Sequence, residues 1–293
     1  MEHKIILITG STDGIGKATA KTLTKQGHTV IIHGRNASKA KSVIDEIKSE
    51  IPTAKLDMLI ADFMKLADVR KMADEFNAKY DRLDVLINNA GAVLDKRREL
   101  AEDGEEKMMT LNVISAFLIT KLLTEKLSKS TSARVVFTSS ATHGTVRSLD
   151  MNDLKFEKNY SAQGMYAITK LLNIWSARSF SRKFKESGFN IAVNTYHPGM
   201  VGTNFGQDSD KGFFVNLVYK SAFRLGVMDS IDKGARTPIF LATSKEVEGV
   251  TGKFFDNKTK MAKANDKLYS KENEKRLWDY CMKVSTKYLS EVS

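Results

Sequence analysis

An apolar, β-branched run from Ile5 to Thr9 opens straight into Thr9-Gly10-Ser11-Thr12-Asp13-Gly14-Ile15-Gly16, and that turn leads straight into a stretch with helical periodicity. No other feature constrains the fold as much. A strand that feeds a helix through so short a turn returns by a crossover, and crossovers join parallel strands. The rest of the chain keeps this rhythm. Runs at Thr29 to His33, Ala54 to Ala61, Leu83 to Asn88, Arg134 to Ser139, Ile191 to Tyr196 and Gly252 to Phe255 alternate with longer stretches. In those stretches small and apolar side chains return every three to four residues, as at Ile15, Ala18, Thr19, Thr22 and Leu23. The expected fold is α/β: a doubly wound parallel sheet of Rossmann type with helices on both faces. The early strands are apolar on both pleat faces, which a sheet covered on both sides requires.

The 293 residues contain three prolines, Pro52, Pro198 and Pro238, and no Pro/Gly/Ser-rich linker. One domain over residues 1–256 is therefore expected, with 257–293 as a C-terminal helical extension packed on it. That extension is lysine-rich, but it carries charges of both signs and reads as a solvated face. A single cysteine, Cys281, excludes an internal disulfide and points to a reducing compartment. Only four apolar residues, Ile5 to Ile8, precede the glycine turn. A signal peptide needs a longer core and a membrane span needs about 20 residues, so the expected location is the cytosol. The histidines show no paired spacing and there is no cysteine cluster, so no metal site is expected.

Glycines between a strand and a helix let the backbone turn tightly and approach a pyrophosphate at the helix N-terminus. Five residues separate Gly10 from Gly16-Lys17, and Ala18 follows, so the turn is not a P-loop. Nor is it G-x-G-x-x-G, which would need a glycine at Thr19. The spacing is T-G-x-x-x-G-x-G, and its place in a βαβ unit favours a dinucleotide over a purely structural turn. The second strand indicates which one. It ends Ile32-His33-Gly34-Arg35-Asn36, with no acid before Asp45. An NAD site puts a carboxylate there to hold the ribose. Arg35 instead offers a fork for a 2′-phosphate, which predicts NADP rather than NAD.

Tyr166-Ala167-Ile168-Thr169-Lys170 places a phenol and an ammonium one helical turn apart on one face. A phenol near pKa 10 is a poor acid–base at neutral pH, and a nearby cation lowers it. Val135-Val136-Phe137-Thr138-Ser139-Ser140 and Asn88-Asn89-Ala90-Gly91 both end strands at the carboxyl edge, where doubly wound folds place ligands.

The glycine turn, Asn88-Asn89-Ala90-Gly91, Ser139-Ser140, Tyr166 to Lys170 and Pro198-Gly199 occur in one order. In that order they resemble the short-chain dehydrogenases/reductases, from about Ile5 to Asp256. The 26-residue interval from Ser140 to Tyr166, Asn194-Thr195-Tyr196-His197-Pro198-Gly199 and Arg276-Leu277-Trp278 resemble the retinol dehydrogenase and WW-domain oxidoreductase branch. The resemblance implies that Tyr166 is the general acid/base in interconverting a carbonyl and an alcohol. Lys170 would lower its pKa and hold the nicotinamide ribose, Ser140 would bind the carbonyl oxygen, and Asn112 would anchor a water behind Lys170. For the cofactor it implies Gly10, Ser11, Asp13, Gly14, Ile15, Gly16, Arg35 and Asn36 on the phosphate side. Asp62, Phe63, Asn89, Ala90 and Gly91 would lie toward the adenosine, and Pro198, Gly199, Val201 and Thr203 at the nicotinamide end. In such relatives the region 205–228 forms a lid. Here it is rich in aromatics, with Lys211, Lys220 and Arg224 interspersed. It suits a lipophilic carbonyl substrate and a weak peripheral membrane contact.

There are two departures. Asp13 stands where many NADP users of this family carry a basic residue, with Lys17 just beyond. Retinol-oxidising relatives commonly carry an N-terminal anchor, whereas this chain starts at its first strand. The rival reading is a catalytically idle dinucleotide-binding protein on the same fold; the retained Ser140, Tyr166, Lys170 and Asn112 argue against it. The net charge of +11 suggests a nucleic-acid binder, but no basic block with interleaved aromatics supports one. Monomer and homo-oligomer both remain open.

Overall fold

The computed structural model describes residues 2–94, 97–158, 160–201 and 229–290. The seven expected runs all become strands, with their ends shifted by a residue or two. They are β1 (Ile5–Ile8), β2 (Thr29–Gly34), β3 (Lys55–Ile60), β4 (Val85–Asn88), β5 (Ala133–Thr138), β6 (Ile191–Tyr196) and β7 (Phe254–Phe255). An eighth, β8 (Met261–Ala262), was not expected; two residues are too short to show a period. The sheet order is β3-β2-β1-β4-β5-β6-β7-β8. All pairings are parallel except the last, where β8 returns antiparallel to β7. The sheet is thus mostly rather than wholly parallel. A hairpin suffices at this edge, whereas a parallel neighbour would need another crossover.

Side chains along the strands alternate between the two faces of the sheet and build two cores. Leu7, Ile31, Leu86, Val135 and Phe137 face one layer, while Ile6, Ile8, Val30, Ile32, Val85, Ile87 and Val136 face the other. Helices α1 (Gly14–Lys25) and α2 (Ala37–Glu50) cover the smaller layer. So does α6 (Ile231–Thr243). Helix α3 (Leu66–Lys79) lies on the larger layer. The rod α4 lies there too, running through Lys107–Met109, Thr110–Ile114 and Ser115–Leu122. Helix α5 (Ala162–Glu186) and the C-terminal α7 (Lys271–Leu289) complete that face.

Five of these helix starts have a local cause. Asp13, Asn36, Ser161, Ser230 and Ser270 are extended residues whose side chains accept N–H groups of the first turns of α1, α2, α5, α6 and α7. The C-terminal helix enters the larger core: Leu277 and Cys281 are buried, and the Trp278 ring lies 4.8 Å from Phe117 and 5.0 Å from Phe180. Among the described residues no helix is long and apolar enough to cross a membrane.

Candidate functional site

The sheet order reverses beside β1, so the turns after β1 and β4 open toward one crevice at the carboxyl edge. Those two turns are stitched together. Thr9 Oγ1 accepts the N–H groups of Asn89 and Ala90 at 3.0 and 2.9 Å, while Asn89 Nδ2 donates to the carbonyls of Thr9 and Gly10 at 3.0 and 2.9 Å. Gly10 has φ +64°, and a Cβ there would lie 2.9 Å from Ala90 Cα. At Gly16 a Cβ would stand 2.3 Å from the Gly10 carbonyl oxygen. Any larger residue at either place would force the strand-to-helix turn apart.

The Ser11 hydroxyl is fully buried and belongs to the scaffold: it donates to Ile8 O at 2.8 Å and accepts His33 N–H at 2.9 Å. The Asp13 carboxylate accepts the Gly14 N–H at 2.7 Å, and Gly14 has φ +51°. An acid is favourable at that position because it satisfies a first-turn donor and the positive helix end. Lys17 does not reach back to the turn; its ammonium pairs with Glu46 on α2 at 2.6 Å. Ile15 packs with Val201 around Gly234, where a Cβ would lie 3.2 Å from Ile15 and 2.7 Å from Val201. Arg35 is exposed beyond β2, and Asn36 caps α2 by accepting the Lys39 N–H at 2.9 Å. Asp62 accepts the Met64 N–H at 3.0 Å. The Phe63 side chain turns inward and packs at a tilt against His33, ring centroids 4.3 Å apart.

Helix α5 carries Tyr166, half-buried, and Lys170, 2% exposed. The Lys170 ammonium lies 5.5 Å from the Tyr166 ring centroid and donates to Thr138 O at 3.2 Å. It occupies a slot beside the turn after β4, 3.0 Å from where a Cβ on Gly91 would stand. Burial pulls its pKa down to about 8.

Asn112 lies in the five-residue π-helical middle of α4. Its amide accepts Ala92 N–H at 2.9 Å and donates to Ala92 O at 3.0 Å and Thr169 Oγ1 at 3.1 Å. It thereby joins the turn after β4 to the Tyr166–Lys170 segment. A widened helical turn of this kind is a frequent mark of functional sites.

The adjacent serines differ. Ser139 is buried and its hydroxyl donates to Lys170 O at 2.7 Å. Ser140 is half-buried, and its oxygen accepts from Thr142 N and Thr142 Oγ1 at 3.3 and 3.0 Å, which leaves its proton to donate. His143 lies three residues beyond Ser140. It is buried, edge-on to Phe254 at 4.8 Å, with Nδ1 2.6 Å from Ser140 O. Pro198, Gly199 and Val201 follow β6, and Val201 bridges to Asp229. Thr203 and the lid region 205–228 lie outside the described residues.

Two participants escaped the sequence reading. Asn173, one turn beyond Lys170 on α5, donates to the same Thr138 carbonyl at 3.3 Å. His33 is 3% exposed, accepts Gly10 N–H at Nδ1 at 3.0 Å, and donates from Nε2 to Ala61 O at 3.2 Å. Its signal was a polar ring inside an apolar strand one residue before a glycine. Among the described residues no group of His, Cys, Asp and Glu could hold a metal ion.

A family model described as short chain dehydrogenase matches residues 4–212. The human protein named polyprenol dehydrogenase is 36% identical over 279 residues, covering 94% of this chain and 83% of that one. Human retinol dehydrogenase 14 is 33% identical, covering 95% and 85%. Among solved structures, an Escherichia coli CFT073 chain described as a short chain dehydrogenase complexed with NADPH superposes with a TM-score of 0.67. It is 25% identical, with 88% of this chain and 97% of that one covered.

Proposed function

The chain belongs to the short-chain dehydrogenase family, in its retinol dehydrogenase-like branch, and from that premise we propose that it interconverts a lipophilic carbonyl and its alcohol using NADP(H). The observation that carries this reading is a half-buried phenol one turn from a buried lysine of lowered pKa, with a serine at the end of β5 whose proton is left to donate.

The residues present fit a dinucleotide phosphate. The first turn of α1 leaves N–H groups without intrahelical acceptors, at a backbone kept bare by Gly10, Gly14 and Gly16. Beyond β2 an exposed arginine, and no carboxylate, stands where the 2′-phosphate would lie. NADPH when bound would supply the hydride. Everything else falls to the chain. Ser140 donates a hydrogen bond to the substrate oxygen and fixes it beside Tyr166. Tyr166 gives that oxygen its proton as negative charge develops, and takes it back in the alcohol-to-carbonyl direction. The Lys170 charge favours the phenolate and brings the phenol toward the working range. Asn112 holds the turn carrying Gly91 and Ala92 against α5, which keeps the lysine slot closed. The lipophilic substrate class is supported by the polyprenol and retinol dehydrogenases as relatives.

The test is NADPH oxidation followed by absorbance against a panel of aldehydes and ketones of graded chain length. Tyr166→Phe is expected to lower turnover by ~10²–10⁴-fold. Turnover that survives this substitution overturns the assignment of Tyr166.

A further inference from the structure

Two glycine turns follow strands at the carboxyl edge, one after β1 and one after β6, and each holds a glycine in the left-handed region: Gly10 at φ +64° and Gly199 at φ +85°. In both, the glycine N–H is taken by the same kind of atom. Gly10 N–H donates to His33 Nδ1 at 3.0 Å, and Gly199 N–H donates to His197 Nδ1 at 3.2 Å. An imidazole nitrogen accepts only while it carries no proton. We propose that His33 and His197 are a matched pair of positioning residues whose neutral Nδ1 atoms hold the two glycine turns in the shape that receives the dinucleotide. This rests on the dinucleotide reading of the crevice.

The surroundings of each ring keep it neutral. His33 is buried, packed at a tilt against Phe63, and bonded through Nε2 to the Ala61 carbonyl, which selects the Nε2–H tautomer and leaves Nδ1 open. Burial holds its pKa down at about 4, against the smaller opposing pull of that carbonyl. His197 stacks on Phe254 at 5.7 Å. Its pKa is lowered by burial and by neighbouring His143, against the opposing charge of Asp256. Protonation at Nδ1 would set a donor against the glycine N–H and push the turn away. A glycine at positive φ has no side chain to hold its place, so the acceptor defines where its backbone stands.

Asparagine and leucine at these positions separate an acceptor from mere bulk. They are close in shape, but only the Asn Oδ1 can stand where Nδ1 did. Equilibrium titration of the full chain with NADPH is expected to show His33→Leu and His197→Leu weakened about tenfold or more. His33→Asn and His197→Asn should stay within about threefold of wild type. Wild-type affinity should also fall as pH drops below 6.5, and His197→Asn should remove the part of that fall due to His197. This readout stands even where a leucine variant fails to fold. Asn and Leu variants that lose affinity equally, in step with their unfolding midpoints, would make the pair merely structural and overturn the proposal. So would Leu variants that bind as wild type, or a pH dependence unchanged by His197→Asn. A wild-type protein that binds neither NADPH nor NADH overturns the dinucleotide reading itself, and this one with it.

Discussion

The two ends of α5 treat buried charge in opposite ways. Toward its start, Lys170 is 2% exposed and points its ammonium at the Thr138 carbonyl; desolvation acts on it with no carboxylate to oppose it. Toward its end, Ser179 and Arg182 meet Glu274 of α7, a carboxylate with no exposure at all. Glu274 is held by Ser179 Oγ at 2.7 Å, Arg182 Nη1 at 2.6 Å and Tyr269 OH at 2.5 Å. Burying an ion is costly unless partners replace its water. The Glu274 end has those partners and fixes the C-terminal helix to the core. The Lys170 end has a backbone carbonyl but no carboxylate, so its charge is not neutralised by a partner. A helix that is satisfied at one end and electrostatically strained at the other separates anchoring from chemistry along a single element.

The largest expected break comes at the strained end. Lys170→Met should lower turnover about a thousandfold, within the range of acid–base assistance, while the unfolding midpoint stays level or rises. A lowered midpoint with turnover intact would make Lys170 an anchor like Glu274. The mirror experiment is Glu274→Leu, which strands Arg182, Ser179 and Tyr269. It is expected to cost about 3 kcal/mol in chemical denaturation, with turnover per folded molecule retained. A catalytic loss without a stability loss would erase the distinction.

Titration sharpens the comparison further. With a folded pKa of about 8 against an unfolded value of 10.5, Lys170 binds more protons unfolded than folded between those pH values. Its burial cost is therefore fully present below pH 8 and is relieved as pH rises to 10.5. Wild type should gain stability relative to Lys170→Met across that window, and parallel curves would show the lysine is not desolvated. The smallest effect belongs to an exposed charge. Arg35→Ala should weaken NADPH about tenfold more than NADH, with stability changed by less than about 0.5 kcal/mol. Equal losses for both cofactors would mean that Arg35 does not read the 2′-phosphate.

Much of the fold and the outline of the site are legible in the sequence because their causes are local. The glycine turn, the apolar runs and the tyrosine–lysine spacing each lie within a few consecutive residues. What escaped is non-local or too short. Strand β8 has two residues and no period to detect. The Ser139 and Ser140 hydroxyls look alike in the chain, yet one is committed to the Lys170 carbonyl and the other is half-buried and accepts from Thr142. Lys17 stands just beyond the turn in the chain, but Glu46 on α2 is near enough to pair with it. Phe63 and Ser11 fall within the expected cofactor segments while their side chains serve the core and the backbone.

The sequence by itself determined the doubly wound α/β class and the chain order in which glycine turn, serine, tyrosine and lysine follow their strands at the carboxyl edge. Strand periodicity, turn chemistry and one-turn helical spacing act over a handful of residues, and crossover geometry does the rest. The tertiary structure alone decided which of two serines is tied to the Lys170 carbonyl, that Lys170 is dry, and that His33 and His197 present acceptor nitrogens to two glycines. Protonation and hydrogen-bond roles depend on burial and on partners far apart in the chain, and those exist only once the sheet, α5 and α7 have packed.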